Sequence, residues 1–463
     1  MAQTPTELLA RFIVESHYSD IPDEALAYGR SSLLDASAVG IAGSASKGAK
    51  TLNSVLLPYS STGGAQVIGT DMRLPAPFAA MANGNTIHAD DFDDTLAADP
   101  MAQGYHGSTH PTGPLLSTLL ALIGSKKTTG KDFLIAYHIG VEVMAKLNSA
   151  LGSRSFSAGF HPTALMSAFG SAASASRLKG LDLQTTKTAL GIAASHACGL
   201  RANFGSMMKP YHPGHGAMSG FLAVEMAMGG FTAAADAIGG DIGFLNAYGD
   251  SIDMAPLEAL GCPWAYLSPG MWIKPYPSGN LTHPGMSRID EFLEKNNARR
   301  NDVCKLDIQT KQSIYDTLIH HHPKTGLQSK FSMEFCIVKI LIDGDLGLSD
   351  FSDKVVQRPD IQRMLGNTNY SAFPDAESKG LGYENYTTLI TFTLKDGRTF
   401  TERSDFGKGS AHDPFSYDET AEKAQHCCTY RDWPQEKFDL LVEGWKQIDT
   451  VSDVNEITQN LFM

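Results

Sequence analysis

Between residue 6 and about residue 249, apolar side chains recur every three or four positions. The pattern is plain in residues 6–15, 22–42, 132–148 and 221–228, and it is the spacing of helices with one buried face. Gly, Ser and Ala crowd these stretches, as in SAFGSAASAS at 167–176, so closely approaching helix axes are expected. Near Leu267 the period changes. Residues 271–276, 303–310 and 386–402 are rich in β-branched and aromatic types and predict strands, and Asp396-Gly397 marks a tight hairpin. Helices are predicted again at 279–296, 332–342 and 418–446. The expected fold is mainly α: a large all-helical domain (1–266 plus 403–463) interrupted by an inserted α+β domain (267–402).

Composition narrows the class. The 463 residues include 37 Lys+Arg against 50 Asp+Glu, a formal charge of −13, with 42% apolar, 19% charged and 44 Gly. A surplus of acid disfavours nucleic acid or an anionic membrane as partner. The low charged share points to extensive burial, including burial at a subunit interface. No apolar run approaches the ~20 residues of a membrane span. The start, MAQTPTELLARFIVESHYSDIP, lacks the plan of a signal peptide and is too acidic for a typical transit sequence. Six cysteines without CxxC spacing fit a reduced compartment. A cytoplasmic location is expected, with a mitochondrial one still open.

Histidine carries the first chemical signal: nine of 15 lie between His88 and His283. His110, His161, His212 and His283 each precede Pro in what reads as a loop, where sites concentrate. The segment NTIHADDFDDT, if helical, sets His88, Asp91 and Thr95 on one stripe. Asp90 and Asp94 then fall on another, as surface or capping groups. In RANFGSMMKPYHPGHGA, Arg201, Lys209, His212 and His215 form a basic patch in an acidic chain, suited to an anionic small molecule. Taken alone, each of these residues has an ordinary structural or solvated reading.

Other chemistries lack their motifs. There is no GxGxxG after a strand, no phosphate loop, no HExxH and no GxSxG. His106 and His110 make a weak metal pair, and His320-His321-His322 reads as surface. Asp90 to Asp94 is similar to the DDxxD motif of terpene synthases, but the second metal motif those enzymes need is missing. Metal-free, cofactor-free acid–base chemistry on a carboxylate is the expectation.

In order along the chain, NTIHADDFDDT, HPTGP, FHPTA, NFGSMMKPYHPGHGA, SPGMWIKPYPSGNLTH and HPKTGLQSKFSMEFC resemble the MmgE/PrpD family, and the likeness covers nearly the whole chain. That family includes 2-methylcitrate dehydratase, cis-aconitate decarboxylase and iminodisuccinate epimerase. The resemblance implies a homodimer with a helical domain built from both chain ends plus an α+β lid. It implies Asp91, Thr95, His110, His161, Lys209 and His283 as catalytic residues, with no metal or cofactor. Arg201, His212, Lys274, Tyr276 and Ser278 become substrate-binding candidates. Ser278-Gly279 departs from the pattern, since many relatives carry Cys after Tyr-Pro, and this bears on substrate identity.

Lysine and imidazoles can hold the carboxylates of a small di- or tricarboxylate, while a histidine moves a proton at the carbon beside one of them. Decarboxylation of cis-aconitate leads the readings. Dehydration of 2-methylcitrate or a longer alkylcitrate is the alternative, followed by epimerisation of a dicarboxylate. A non-catalytic carboxylate-binding scaffold is the reading from outside enzymology.

Overall fold

The computed structural model describes residues 3–96, 107–124, 126–250, 252–374 and 386–463. His106 lies outside them. The chain forms two compact units: residues 1–202, 210–273 and 416–463 make the first, and residues 203–209 and 274–415 the second. The sequence reading drew its boundaries at 266/267 and 402/403.

The first unit is helical, and its helices start and stop where local chemistry dictates. Thr4, Thr129 and Asp182 cap Pro5–Glu15, Gly130–Leu151 and Leu183–Ala194 by accepting from backbone amides of the first turn. Pro162 opens Pro162–Lys179, and Gly180 closes it in a left-handed conformation. Ser416 and Glu419 form a capping box at Tyr417–Tyr430. The stretch predicted as one helix at 418–446 is two, Tyr417–Tyr430 and Gln435–Lys446, because Pro434 cannot continue the first.

Small residues do bring helices together. A methyl group on Gly140 would strike Ser174 Oγ, and one on Gly220 would strike Ser171 Cβ and the Ala168 carbonyl. The bundle therefore packs backbone against backbone around Pro162–Lys179, whose residues from Pro162 to Ser176 are all buried. No helix among the described residues is long and apolar enough to cross a membrane.

The second unit holds a four-stranded sheet, Thr368–Ala372, Val303–Thr310, Thr388–Leu394 and Thr399–Ser404 in spatial order. Thr388–Leu394 alternates buried and half-buried positions, as its sequence alternates. It runs antiparallel to Thr399–Ser404, joined by a turn in which Gly397 has φ 88°. The first strand, Thr368–Ala372, pairs in parallel with Val303–Thr310 and was not predicted. The strand predicted at 271–276 shrinks to Met271–Trp272, in the first unit. The long helix predicted at 279–296 is instead broken into the short turns Asn280–Thr282, His283–Met286 and Ile289–Lys295.

Candidate active site

The helix Ala76–Ile87 stops just before the acidic segment, with His88 as its C-cap. Asp91 turns the chain at φ 52°, a left-handed conformation that asparagine and aspartate tolerate better than most side chains. The chain then enters the short strand Thr95–Leu96, pairing Thr95 with Trp272 and bridging Leu96 to Thr109. The expected helical stripe of His88, Asp91 and Thr95 therefore does not form. Four carboxylates in five residues offer no apolar face to a helix, so other elements dictate the course.

The same segment corrects the surface assignment of Asp94. Its side chain is fully buried and accepts from the amide of Thr112 at 3.3 Å and from the Thr112 hydroxyl. Burial pushes its carboxyl up to about 8, and the neighbouring charges of Asp93 and Asp35 push the same way. The Thr112 hydroxyl also meets Tyr137, which in turn meets Tyr266, a dry hydroxyl chain beneath the segment. Asp93 is equally buried and holds Nδ1 of His88 at 2.8 Å.

His110 precedes Pro111 and the helix Thr112–Ile123. Its amide donates to Thr163 Oγ1 at 3.1 Å. Its Nδ1 lies 2.9 Å from the Asp94 carbonyl and 3.2 Å from Thr95 Oγ1. A carbonyl only accepts, so Nδ1 carries a proton, and Nε2 is the nitrogen on the Asp91 side of the ring. That Nε2 stands 3.7 Å from Asp91 Oδ1. Other imidazoles gather beside it, with the His88 ring 4.5 Å from His110 and 6.4 Å from His161. His161, the N-cap of Pro162–Lys179, sets its Nδ1 3.0 Å from Nδ1 of His212, so one of the two donates and the other accepts. His212 is no loop residue: it lies inside the helix Met208–Met228, followed by Pro213 within that helix.

Asp91, Thr95, His110, His161 and His212 thus come together in the first unit. The Arg201 guanidinium lies 3.7 Å from the Phe156 ring and donates to the Phe156 carbonyl at 2.9 Å. In the second unit Lys209, only 4% exposed, sits over the stacked rings of Phe204 and Phe331 at 5.5 and 5.2 Å. Ser278 Oγ lies 3.3 Å from His283 Nε2 and 3.0 Å from Thr282 Oγ1, and the ring of Tyr276 meets His283 edge-on at 5.6 Å. Lys274 is buried. Of the three histidines read as surface, His322 is exposed, while His320 and His321 are half-buried. His320 donates to the Phe204 carbonyl at 3.1 Å, and His321 lies 3.2 Å from Glu334, whose carboxyl burial raises to about 7.

One set has metal-ligand chemistry. Atoms of His88, Asp91, Asp93 and His110 all lie within 4.8 Å of one another, a nitrogen and oxygen set that a divalent ion could use. Among the same residues His88 and Asp93 bond each other directly, while His110 Nε2 stands 3.7 Å from Asp91.

Residues 7–256 match the MmgE/PrpD N-terminal domain and residues 276–447 its C-terminal domain. The chain belongs to the MmgE/PrpD family. The histidine cluster falls in the first of these matched domains, and Ser278 and His283 in the second. Cis-aconitate decarboxylase of Mus musculus is 28% identical over 436 residues, covering 91% of this chain and 86% of that protein. The enzyme of that name from Homo sapiens is 26% identical over 472 residues, covering 99% and 94%. The one from Aspergillus terreus is 25% identical over 403 residues, covering 83% and 81%.

Sequence reasoning within the family pattern left out Asp93, Asp94 and Thr163. The first two stand in DFDDT, where Asp94 was read as a surface or capping group and Asp93 was given no role. Thr163 acts through its hydroxyl on the amide of His110, 53 residues away, with no local signal.

Proposed function

We propose that this lyase of the MmgE/PrpD family decarboxylates a small tricarboxylate, with cis-aconitate as substrate and itaconate as product. The bond to one carboxylate breaks and CO₂ leaves. The electron pair spreads across the double bond toward a neighbouring carboxylate, and a proton is delivered to the far carbon. His110 Nε2 is the proton donor in this reading. The observation that carries it is the ring's orientation, with Nδ1 donating to the Asp94 carbonyl and Nε2 3.7 Å from Asp91 Oδ1. Asp91 and Thr95 orient that ring, and His161 shares a proton with His212. Lys209 binds a carboxylate and His283 handles a proton or a carboxylate, roles that the family resemblance supplies. No metal or cofactor takes part.

Purified protein given cis-aconitate should release CO₂ and itaconate. Absence of turnover between about pH 5 and 8, where histidine changes charge, would reject this substrate. Ser278, 3.3 Å from His283, departs from the family's usual Cys and so bears on substrate identity, which keeps one second reading, dehydration of a 2-methylcitrate-type substrate. Formation of a conjugated alkene without CO₂ would identify it. The reading also takes the chain as a homodimer. Val55, Leu57 and Tyr59, 63%, 61% and 56% exposed within five residues, support self-association, and a monomer mass in light scattering would reject it.

A further inference from the structure

Phe92 sits in the middle of the acidic segment, immediately after the left-handed Asp91. Its carbonyl accepts a hydrogen bond of 2.8 Å from Lys423, 331 residues away in sequence. Lys423 stands on the helix Tyr417–Tyr430 and is 6% exposed. The same ammonium pairs with Asp35 at 2.6 Å and lies 3.9 Å from the Phe92 ring centroid. Asp35 is fully buried on the helix Asp23–Gly43. One cation therefore grips both the backbone and the ring of the residue that separates Asp91 from Asp93.

We propose that Lys423, seated on Asp35, is a positioning residue: it holds the segment 88–95 in the course that presents Asp91 and Thr95 to His110. A non-glycine residue at positive φ persists only where its surroundings over-determine it. Here the Asp94 carbonyl is held by His110 and the Phe92 carbonyl by Lys423, on either side of Asp93. A stability role explains the ion pair poorly, because taking two charges out of water offsets most of their attraction. An apolar pair of similar volume is often as stable. Such a pair would keep the fold and lose the grip on the Phe92 carbonyl.

The effect on turnover rests on the proposed decarboxylation, whereas the grip itself can be read without substrate. The test is the double variant Asp35→Leu/Lys423→Met, with Lys423→Arg as the charge-retaining comparison. The double variant should unfold within a few degrees of the parent, exchange its amide hydrogens at 88–95 faster, and lose kcat by about 10- to 100-fold with a smaller change in KM. Lys423→Arg should recover part of that loss. Unchanged exchange and unchanged kcat in the double variant would overturn the proposal. So would a collapse of its unfolding temperature, which would assign the pair to stability. An inactive parent whose double variant still shows faster exchange at 88–95 would reject the decarboxylase reading and leave the clamp standing.

Discussion

Asp93 holds Nδ1 of His88 at 2.8 Å, with both side chains sealed from water, and its carboxylate also comes within 3.9 Å of His110 Nδ1. A buried carboxylate between two imidazoles fixes their rings and tautomers and favours any proton they carry. Asp93→Asn keeps the volume and removes the charge. General acid–base catalysis is worth about 10²–10⁴-fold, so loss of this support should lower kcat by about 10- to 100-fold. Steady-state kinetics on a variant with native circular dichroism checks it, and an unaltered kcat would remove Asp93 from the machinery.

The raised carboxyl of Asp94 makes stability depend on pH. An ordinary aspartate titrates near 3.8, and in the folded protein this one titrates at about 8. Between those values the folded chain keeps a proton that the unfolded chain releases. The stabilisation from this group is therefore complete below about 3.8, declines as pH rises, and is lost above about 8. Asp94→Asn stays neutral throughout. Its unfolding temperature should vary less between those limits than that of the parent, and an equal slope would show that Asp94 is ionised in the fold.

His161 and His212 share a hydrogen bond of 3.0 Å between their Nδ1 atoms, so the pair needs one donor and one acceptor. His212→Asn can still offer either. It should retain more activity than His212→Leu, which leaves a buried imidazole nitrogen facing an apolar side chain. Equal activity in the two variants would mean that the bond does not serve turnover.

Close helix packing predicts a loss without chemistry. Gly220→Ala places a methyl group against Ser171 Cβ and the Ala168 carbonyl, and backbone cannot swing aside as a long side chain can. A destabilisation of about 1–3 kcal/mol is expected in denaturant melts. A neutral result would show that the two helices can separate slightly.

The four atoms of His88, Asp91, Asp93 and His110 invite a direct metal test. The cofactor-free reading expects cis-aconitate turnover to survive exhaustive dialysis against EDTA. Activity lost to chelator and restored by one divalent ion would assign the quartet as a metal site and displace the acid–base account.

Helical periodicity marked Asp23–Gly43 and Gly130–Leu151, because packing an apolar stripe is a local demand repeated every turn. Strand Val303–Thr310 and the hairpin at Gly397 were legible for a similar reason, being short-range patterns of side-chain type. Thr368–Ala372 was not, since TNYSA alternates weakly and becomes a strand by pairing in parallel with a segment some sixty residues earlier. In the site, residue types were legible and conformations were not. His212 was expected in a loop and is helical, while Asp91 was expected in a helix and is left-handed.

The order of motifs along the chain was enough to establish family, helical class and the cast of histidines and aspartates, because those depend on which residues are present and how they are spaced. Which nitrogen of His110 meets the Asp94 carbonyl, why Asp94 is buried and what grips Phe92 depended on contacts across 16, 18 and 331 residues. Such contacts form only once separate helices have packed, and nothing in the neighbouring sequence specifies which distant carbonyl, hydroxyl or ammonium will arrive.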